Sequence, residues 1–157
     1  MKVKFKLNGE LVEVDVPPNR TLLDVLRRDL GIKSVKRGCE RGECGACTVL
    51  LNGKPVTSCL ILIPQVEDAE VITLEYLHKN GKLHPIQEAF IEAGAVQCGF
   101  CTPGFILTAY ALLMKNPEPT REEVKKALSG NICRCTGYVK IIDAVLLAAK
   151  KLKELGR

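Results

Sequence analysis

Hydrophobic and polar residues alternate through residues 2–16, and a period of two predicts strands that bury one face. Asn8-Gly9 interrupts the alternation, and an Asn-Gly pair readily adopts the positive φ angles of a tight turn. A second strand–turn–strand pattern surrounds Asn52-Gly53. The first half of the chain therefore predicts two β-hairpins.

The period changes in residues 21–31, where leucines recur at helical spacing along one face. Thr21 is suited to cap the start of this helix, with Asp24 three residues later, and Gly31 is suited to end it. Residues 70–76 predict one further strand.

The chain divides at residues 77–83, a polar and turn-forming stretch that we interpret as a linker. The strand pairs and helix of residues 1–76 predict a small α+β domain. In residues 84–157 every periodic segment is helical, which predicts a small all-α bundle of four helices. The helical segments are residues 84–94, 102–117, 120–130 and 140–152. His84 precedes Pro85, and we expect it to help cap the first of these helices.

Charge and hydropathy narrow the partner classes. The formal net charge is +5, and no basic run is interleaved with aromatic residues, so nucleic acid is not expected as a partner. No segment approaches the about 18 unbroken apolar residues that a membrane helix needs. The N-terminus also lacks the pattern of a secretory signal. We therefore expect a cytoplasmic protein without membrane insertion.

Eight cysteines, four in each half of the chain, change this picture. Stable disulfides are rare in a reducing compartment, where cysteine-rich patterns more often bind metal. The first set is Cys39, Cys44, Cys47 and Cys59. Spacings of four and two residues with a distant fourth cysteine match a plant-type [2Fe-2S] site, and the interspersed glycines let the backbone approach a cluster. Zinc is the alternative metal for this set, although structural zinc sites usually pair two short cysteine motifs.

The second set is Cys98, Cys101, Cys133 and Cys135. Each pair precedes a predicted helix, so the thiols are expected to meet near two helix N-termini, whose positive dipole ends stabilise thiolate charge. From spacing alone this set suits zinc as well as an iron–sulfur cluster. Disulfides remain an alternative for all eight cysteines.

Three motifs together carry a family resemblance. They are GCERGECGACTVLLNG followed by Cys59, then AVQCGFCTPGF, then NICRCTGY. Over almost its whole length the chain resembles the small iron–sulfur subunit, or the equivalent N-terminal domain, of the molybdenum hydroxylases. This family includes xanthine dehydrogenases, aldehyde oxidoreductases, aerobic carbon monoxide dehydrogenases and hydroxybenzoyl-CoA reductases.

The resemblance implies a β-grasp, plant-ferredoxin-like domain followed by a four-helix bundle, each holding one [2Fe-2S] cluster. The first cysteine set is implied to bind the cluster on the flavin side, and the second set the cluster beside the molybdopterin. Gln97 matches a glutamine that hydrogen-bonds the pterin, and Cys135 is expected near the pterin edge. No catalytic residue is expected on this chain, since the sequence contains no dinucleotide fingerprint and no nucleophile–base set.

The implied function is an electron relay within an oxidoreductase complex. A large partner subunit would hold the molybdopterin, a medium subunit would hold FAD, and single electrons would pass between them through the two clusters. Two other hypotheses remain open, a free two-cluster ferredoxin and a zinc-stabilised interaction module. The positive net charge and the second, helical domain favour the fixed subunit, because free ferredoxins tend to be acidic.

Overall fold

The computed structural model of the protein describes residues 1–78 and 80–157. Within these residues the strands are β1 (Lys2–Leu7), β2 (Glu10–Asp15), β3 (Thr48–Leu51), β4 (Lys54–Thr57) and β5 (Glu70–Ile72). They form one mixed sheet in the order β2-β1-β5-β3-β4. β1 and β5 are parallel, and the other neighbours are antiparallel. The sheet and the helices described below confirm the α+β class.

Both predicted hairpins are present. β1 pairs with β2 so that Val3 lies opposite Val14, and β3 pairs with β4 in the same antiparallel manner. At the first turn Asn8 has a φ of +52° and Gly9 a φ of +89°. These left-handed angles are the ones that an Asn-Gly turn supplies at little steric cost.

The first predicted helix begins at the expected residue but widens after one turn. Thr21 caps it, since the Thr21 hydroxyl accepts a hydrogen bond from the backbone N–H of Asp24 at 3.1 Å. α1 (Leu22–Asp24) then continues as a π-helical turn, Val25–Asp29, which the N–H of Leu30 closes. The wider turn accompanies the burial of four side chains in the core beside the sheet. They are Leu22, Leu23, Val25 and Leu26.

The last predicted strand is only partly extended. β5 ends at Ile72, and a 3-10 turn, Leu74–Tyr76, takes the place of its second half. The backbone N–H of Thr73 donates to the side-chain oxygen of Asn8 at 2.8 Å, and the Thr73 hydroxyl accepts from the Asn8 amide at 2.8 Å. These side-chain bonds replace continued sheet pairing and turn the chain away from the sheet.

Four helices follow in the part of the chain after residue 80, and none of the described helices is long and apolar enough to cross a membrane. They are α2 (Pro85–Glu92), α3 (Thr102–Lys115), α4 (Arg121–Ala127) and α5 (Val139–Glu154). His84 caps α2 as predicted, because its Nδ1 accepts from the N–H of Ile86 at 3.2 Å. Thr120 and Glu123 form a capping box at the start of α4. The predicted segment that contains α4 ends in a 3-10 turn, Leu128–Gly130.

Two hydrophobic cores share the sheet. The first lies between the sheet and α1 and contains Phe5, whereas the second lies among α2–α5. Leu50 and Ile72 of the sheet belong to the second core, so the helices pack directly against β3 and β5. The linker at residues 77–83 remains a prediction, and its Lys79 lies outside the described residues.

Candidate metal centres

The first cysteine set is positioned by the end of α1 and by the β3–β4 hairpin. Cys39 and Cys44 lie in the loop between α1 and β3 and are partly exposed. Cys47 directly precedes β3, and Cys59 lies in the 3-10 turn after β4, where both are buried. The sheet thus anchors two thiols rigidly, and the loop brings the other two to them.

Backbone N–H groups surround the sulfur of Cys39. Those of Arg41, Glu43 and Cys44 donate to it at 3.4, 3.3 and 3.3 Å. The bonds favour the thiolate and lower the pKa of Cys39 to about 6, whereas burial raises the pKa of Cys59 to about 11. The loop therefore supplies donors of the kind that stabilise the negative charge of an iron–sulfur centre.

Glycines leave the space that this arrangement needs. A β-carbon on Gly38 would lie 2.7 Å from the sulfur of Cys44, so any side chain there would displace a thiol. Gly42 has a φ of +79°, and a β-carbon on it would collide with Leu60. These two positions agree with the expectation that the loop excludes side chains around its thiols.

The second cysteine set lies on two loops of the helical part. Cys98 and Cys101 precede α3, and Cys101 is the residue just before its first helical position. Cys133 and Cys135 lie in the loop before α5. Cys98 and Cys135 are exposed, whereas Cys133 is buried. The set therefore has an outer side, formed by Cys98 and Cys135, and an inner side, formed by Cys101 and Cys133.

The environment gives the inner thiols different proton affinities. Burial raises the pKa of Cys101 to about 12. Burial also tends to raise the pKa of Cys133. The hydroxyl and the backbone N–H of Thr136 donate to the Cys133 sulfur at 3.2 and 3.4 Å, and these bonds hold its pKa below the ordinary value. On the outer side the neighbouring Cys98 thiol raises the pKa of Cys135. Burial therefore dominates at Cys101, whereas the hydrogen bonds from Thr136 outweigh it at Cys133.

The thiols of each set interact in pairs, and all eight are free. A neighbouring thiol acts on the pKa of four cysteines: Cys44 on Cys39, Cys47 on Cys59, Cys98 on Cys135 and Cys133 on Cys101. Charge–charge interactions connect the two pairs within a set, as between Cys39 and Cys59. Among residues 1–78 and 80–157, no group of three or more Cys, His, Asp or Glu residues could hold a single metal ion. Two irons with two thiolates each fit this two-plus-two arrangement.

Exposed apolar residues flank the exposed thiols of the second set along the chain. These residues, which we call the apolar rim, are Val96, Phe100, Ile132, Tyr138 and Val139, and each is between 38% and 58% exposed. Gln97, the predicted pterin-binding residue, is exposed beside Cys98. Because the Cys98 thiol acts on the pKa of Cys135, the two exposed cysteines lie near each other, and the rim residues flank both in sequence.

The sequence did not indicate a site role for two polar side chains beside the thiols. The sequence predicts Thr102 as the N-cap of α3, but the cap residue is Cys101 and the Thr102 side chain makes no capping bond. Thr102 follows Cys101 and has a buried hydroxyl without a hydrogen-bond partner in the described part of the chain. A group bound there could accept a hydrogen bond from this hydroxyl. Asn131, two residues before Cys133, is only 7% exposed. Both lie within the motifs quoted above, and that position was the signal available to find them.

Comparisons with known proteins agree with these two centres. A family model described as a 2Fe-2S iron-sulfur cluster binding domain matches residues 5–82, and one described as a [2Fe-2S] binding domain matches residues 73–146. The nicotinate dehydrogenase small FeS subunit of Eubacterium barkeri is 56% identical over 149 residues, which are 95% of each chain.

Solved structures agree in fold and in sequence. A chain of quinoline 2-oxidoreductase from Pseudomonas putida 86 superposes with a TM-score of 0.94 and 42% identity, over 98% of this chain and 96% of that one. The aldehyde oxidoreductase from Desulfovibrio desulfuricans ATCC 27774 superposes with the same TM-score of 0.94 and 49% identity. There the match covers 98% of this chain but 17% of a longer polypeptide.

These matches confirm the resemblance that the three sequence motifs indicated. The family models together extend over residues 5–146, and the relative from Eubacterium barkeri aligns over nearly the whole chain. The chain carries two [2Fe-2S]-binding domains and belongs to the small iron–sulfur subunits of the molybdenum hydroxylase family, as part of an oxidoreductase complex.

Proposed function

We propose that this chain is the electron-transfer subunit of a molybdenum hydroxylase complex and binds two [2Fe-2S] clusters. The ligands are Cys39, Cys44, Cys47 and Cys59 for the first cluster, and Cys98, Cys101, Cys133 and Cys135 for the second. The pairwise meeting of the thiols in both sets carries the proposal, because each iron of such a cluster takes two protein ligands. When bound, the clusters store one electron each and pass electrons singly from molybdopterin to FAD.

The residues around the thiols have separate tasks in this proposal. The N–H groups that donate to Cys39 offset negative charge at the first centre and so favour its reduced form. Burial of Cys47 and Cys59 keeps water away from the inner side of that centre. Thr136 performs a comparable task at Cys133, and the Thr102 hydroxyl is free to donate toward the second centre.

The same proposal gives the domain organisation. Residues 1–76 form a β-grasp, plant-ferredoxin-like domain, residues 84–157 form a four-helix bundle, and residues 77–83 connect them. Support comes from the separate core between the sheet and α1 and from the second core among the four helices.

We assign the apolar rim to the large, molybdopterin-binding subunit. The rim residues flank the exposed Cys98 and Cys135 along the chain, where Gln97 can hydrogen-bond the pterin and Cys135 can lie near its edge. The partly exposed Cys39 and Cys44 would face the medium, FAD-binding subunit. The relative from Eubacterium barkeri is itself named a small subunit, which supports assembly with larger chains.

Anaerobic purification with iron and sulfide analysis, followed by EPR during stepwise dithionite reduction, tests this proposal. We expect about four irons per chain and two distinct S = ½ signals. Cys47→Ser should remove one signal and Cys101→Ser the other, so that each variant is the control for its counterpart.

Three outcomes would contradict the proposal. Zinc without iron would indicate a structural module. A single signal in the unaltered chain would indicate one cluster. A two-cluster protein that never associates with larger chains would indicate a free ferredoxin.

A further inference from the structure

A buried polar cluster lies where the sheet meets the helices. The side-chain amide of Asn131 donates to the carbonyl of Gly45 at 3.2 Å and to the hydroxyl oxygen of Thr48 at 3.3 Å. Its side-chain oxygen accepts from the hydroxyl of Thr108 at 2.9 Å. The amide orientation is fixed, because a carbonyl such as that of Gly45 can only accept a hydrogen bond.

This cluster joins the two cysteine loops directly. Gly45 lies between Cys44 and Cys47, while Asn131 lies two residues before Cys133. Beside it the backbone N–H of Ile132 donates to the carbonyl of Cys44 at 2.9 Å. The thiols of the two sets are therefore connected by a short path, which runs from Cys44 through Gly45 to Asn131 and along the backbone to Cys133.

The backbones meet too closely for side chains to intervene. Gly45 has a φ of +73°, and a β-carbon on it would lie 2.7 Å from the Asn131 amide nitrogen. A β-carbon on Gly104 of α3 would lie 2.5 Å from the Gly45 carbonyl oxygen. The geometry of this junction thus depends on direct contact between the loop and the helix.

Apolar contacts also join the two halves, with α3 packed across β3 and with Leu50 and Ile72 in the helical core. Apolar contacts are not directional, so they permit small shifts of one surface on the other. Hydrogen bonds are directional, and a buried polar network whose members are all satisfied rigidifies and specifies one arrangement. Asn131 makes such bonds to both halves.

We infer that Asn131 is a positioning residue that fixes the distance and relative orientation of the two thiol sets. This inference rests on the proposed function, since it concerns how two bound clusters are held relative to each other. On the helical side, the Thr108 hydroxyl orients the Asn131 amide. On the loop side, the Gly45 carbonyl and the Thr48 hydroxyl oxygen accept hydrogen bonds from that amide. Electron transfer between the centres then proceeds at one fixed separation.

The test is the magnetic interaction between the two clusters in the fully reduced, full-length chain. Two nearby S = ½ centres split or broaden each other's EPR lines, and the dipolar part falls with the cube of their separation. Asn131→Asp keeps the shape of the side chain but removes both donated hydrogen bonds. We expect it to alter or abolish the splitting of the wild-type spectrum at unchanged iron content.

Two further variants make the test specific. Thr108→Val keeps the size of the side chain, removes only the hydroxyl that orients Asn131, and should change the splitting in the same direction to a smaller extent. Asn19→Asp makes the same chemical change at an exposed turn and should leave the spectrum as in the wild type. If Asn131→Asp does not assemble its clusters, Thr108→Val decides the outcome.

The possible results are distinguishable. A wild-type chain without two clusters would refute the proposed function itself. Two clusters with an unchanged splitting in both Asn131→Asp and Thr108→Val would overturn the inference alone. If these residues only added stability, their substitution would lower the melting temperature without changing the splitting. Melting curves of the same variants therefore separate that role from positioning.

Discussion

Arg37 connects the first cysteine loop to the helix that precedes it. Its guanidinium forms ion pairs with Asp24 of α1 and with Glu40, the residue after Cys39. The hydrogen bond from Arg37 is the main reason that the pKa of Asp24 lies below its ordinary value of 3.8. Because the Asp24 side chain is only 21% exposed, solvent screens this pair less than it screens the surface pairs of the molecule. A single carboxylate therefore helps to hold the loop that carries Cys39.

We expect Asp24→Asn to lower the free energy of unfolding near neutral pH by about 1 kcal/mol. A carboxylate whose pKa is lowered by folding stabilises the protein above its unfolded pKa, and this contribution disappears as the pH falls through the lowered pKa. The difference between variant and wild type should therefore shrink in acid. Circular dichroism melting curves over a pH series measure it.

Glu43→Gln is the control, because the Arg41–Glu43 pair has side chains that are 73% and 60% exposed. It should change stability little at any pH. A difference for Asp24→Asn that stays constant from neutral to acidic pH would contradict the assigned role of the carboxylate.

At the scale of elements, α3 determines how the two halves of the molecule meet. It begins directly after Cys101 and places Gly104 and Thr108, one turn apart, toward the first cysteine loop. The carbonyl oxygen of Gly104 also lies 2.9 Å from the Thr108 oxygen, so it shares the single hydroxyl proton of Thr108 with Asn131. The same short stretch of helix therefore positions one thiol and contacts the loop that carries three others.

Gly104→Ala should destabilise the protein although alanine is the better helix former. In an isolated helix the change would stabilise by about 1 kcal/mol. Here the new β-carbon would lie 2.5 Å from the Gly45 carbonyl, so either α3 or the loop must move. We expect a lower thermal midpoint and easier loss of iron, measured by melting curves and by the visible absorption of the clusters.

Gly130→Ala is a matched control for that experiment. Gly130 lies in the 3-10 turn before Asn131, and a β-carbon on it would meet no heavy atom within 4 Å. Its φ is not positive either, so alanine fits without strain. Equal losses of stability in the two alanine variants would refute the explanation by close approach.

Across the whole molecule, local signals were predictable from the sequence and long-range ones were not. The hairpin at Asn8-Gly9 and the cap at Thr21 depend on neighbouring residues alone, and both are present. The π-helical turn after α1 and the early end of β5 depend on core packing and on the bond from Thr73 to Asn8, which no local period encodes. Spacing identified the thiols, whereas the contact from Asn131 to Gly45 joins residues 86 positions apart.

At the scale of the whole molecule, the exposed apolar rim suits contact with a partner chain. An exposed apolar surface beside functional groups is typical of a protein–protein interface, and the apolar rim residues flank the exposed Cys98 and Cys135 in sequence. Val139, at 58% exposed, is the first residue of α5. A glutamate is favourable at that helix position, so Val139→Glu should leave the fold intact while placing a charge in the interface.

We expect Val139→Glu to retain its iron and both EPR signals but to lose the large subunit during co-purification from cells that produce the complete complex. Leu11→Glu is the control, because Leu11 is 72% exposed on β2, away from both cysteine sets. If the large subunit stays bound to Val139→Glu, the apolar rim is not its docking surface. If both variants lose it equally, added negative charge alone explains the loss. Loss from Val139→Glu alone would support the proposed docking of the large subunit on the apolar rim, beside the second cysteine set.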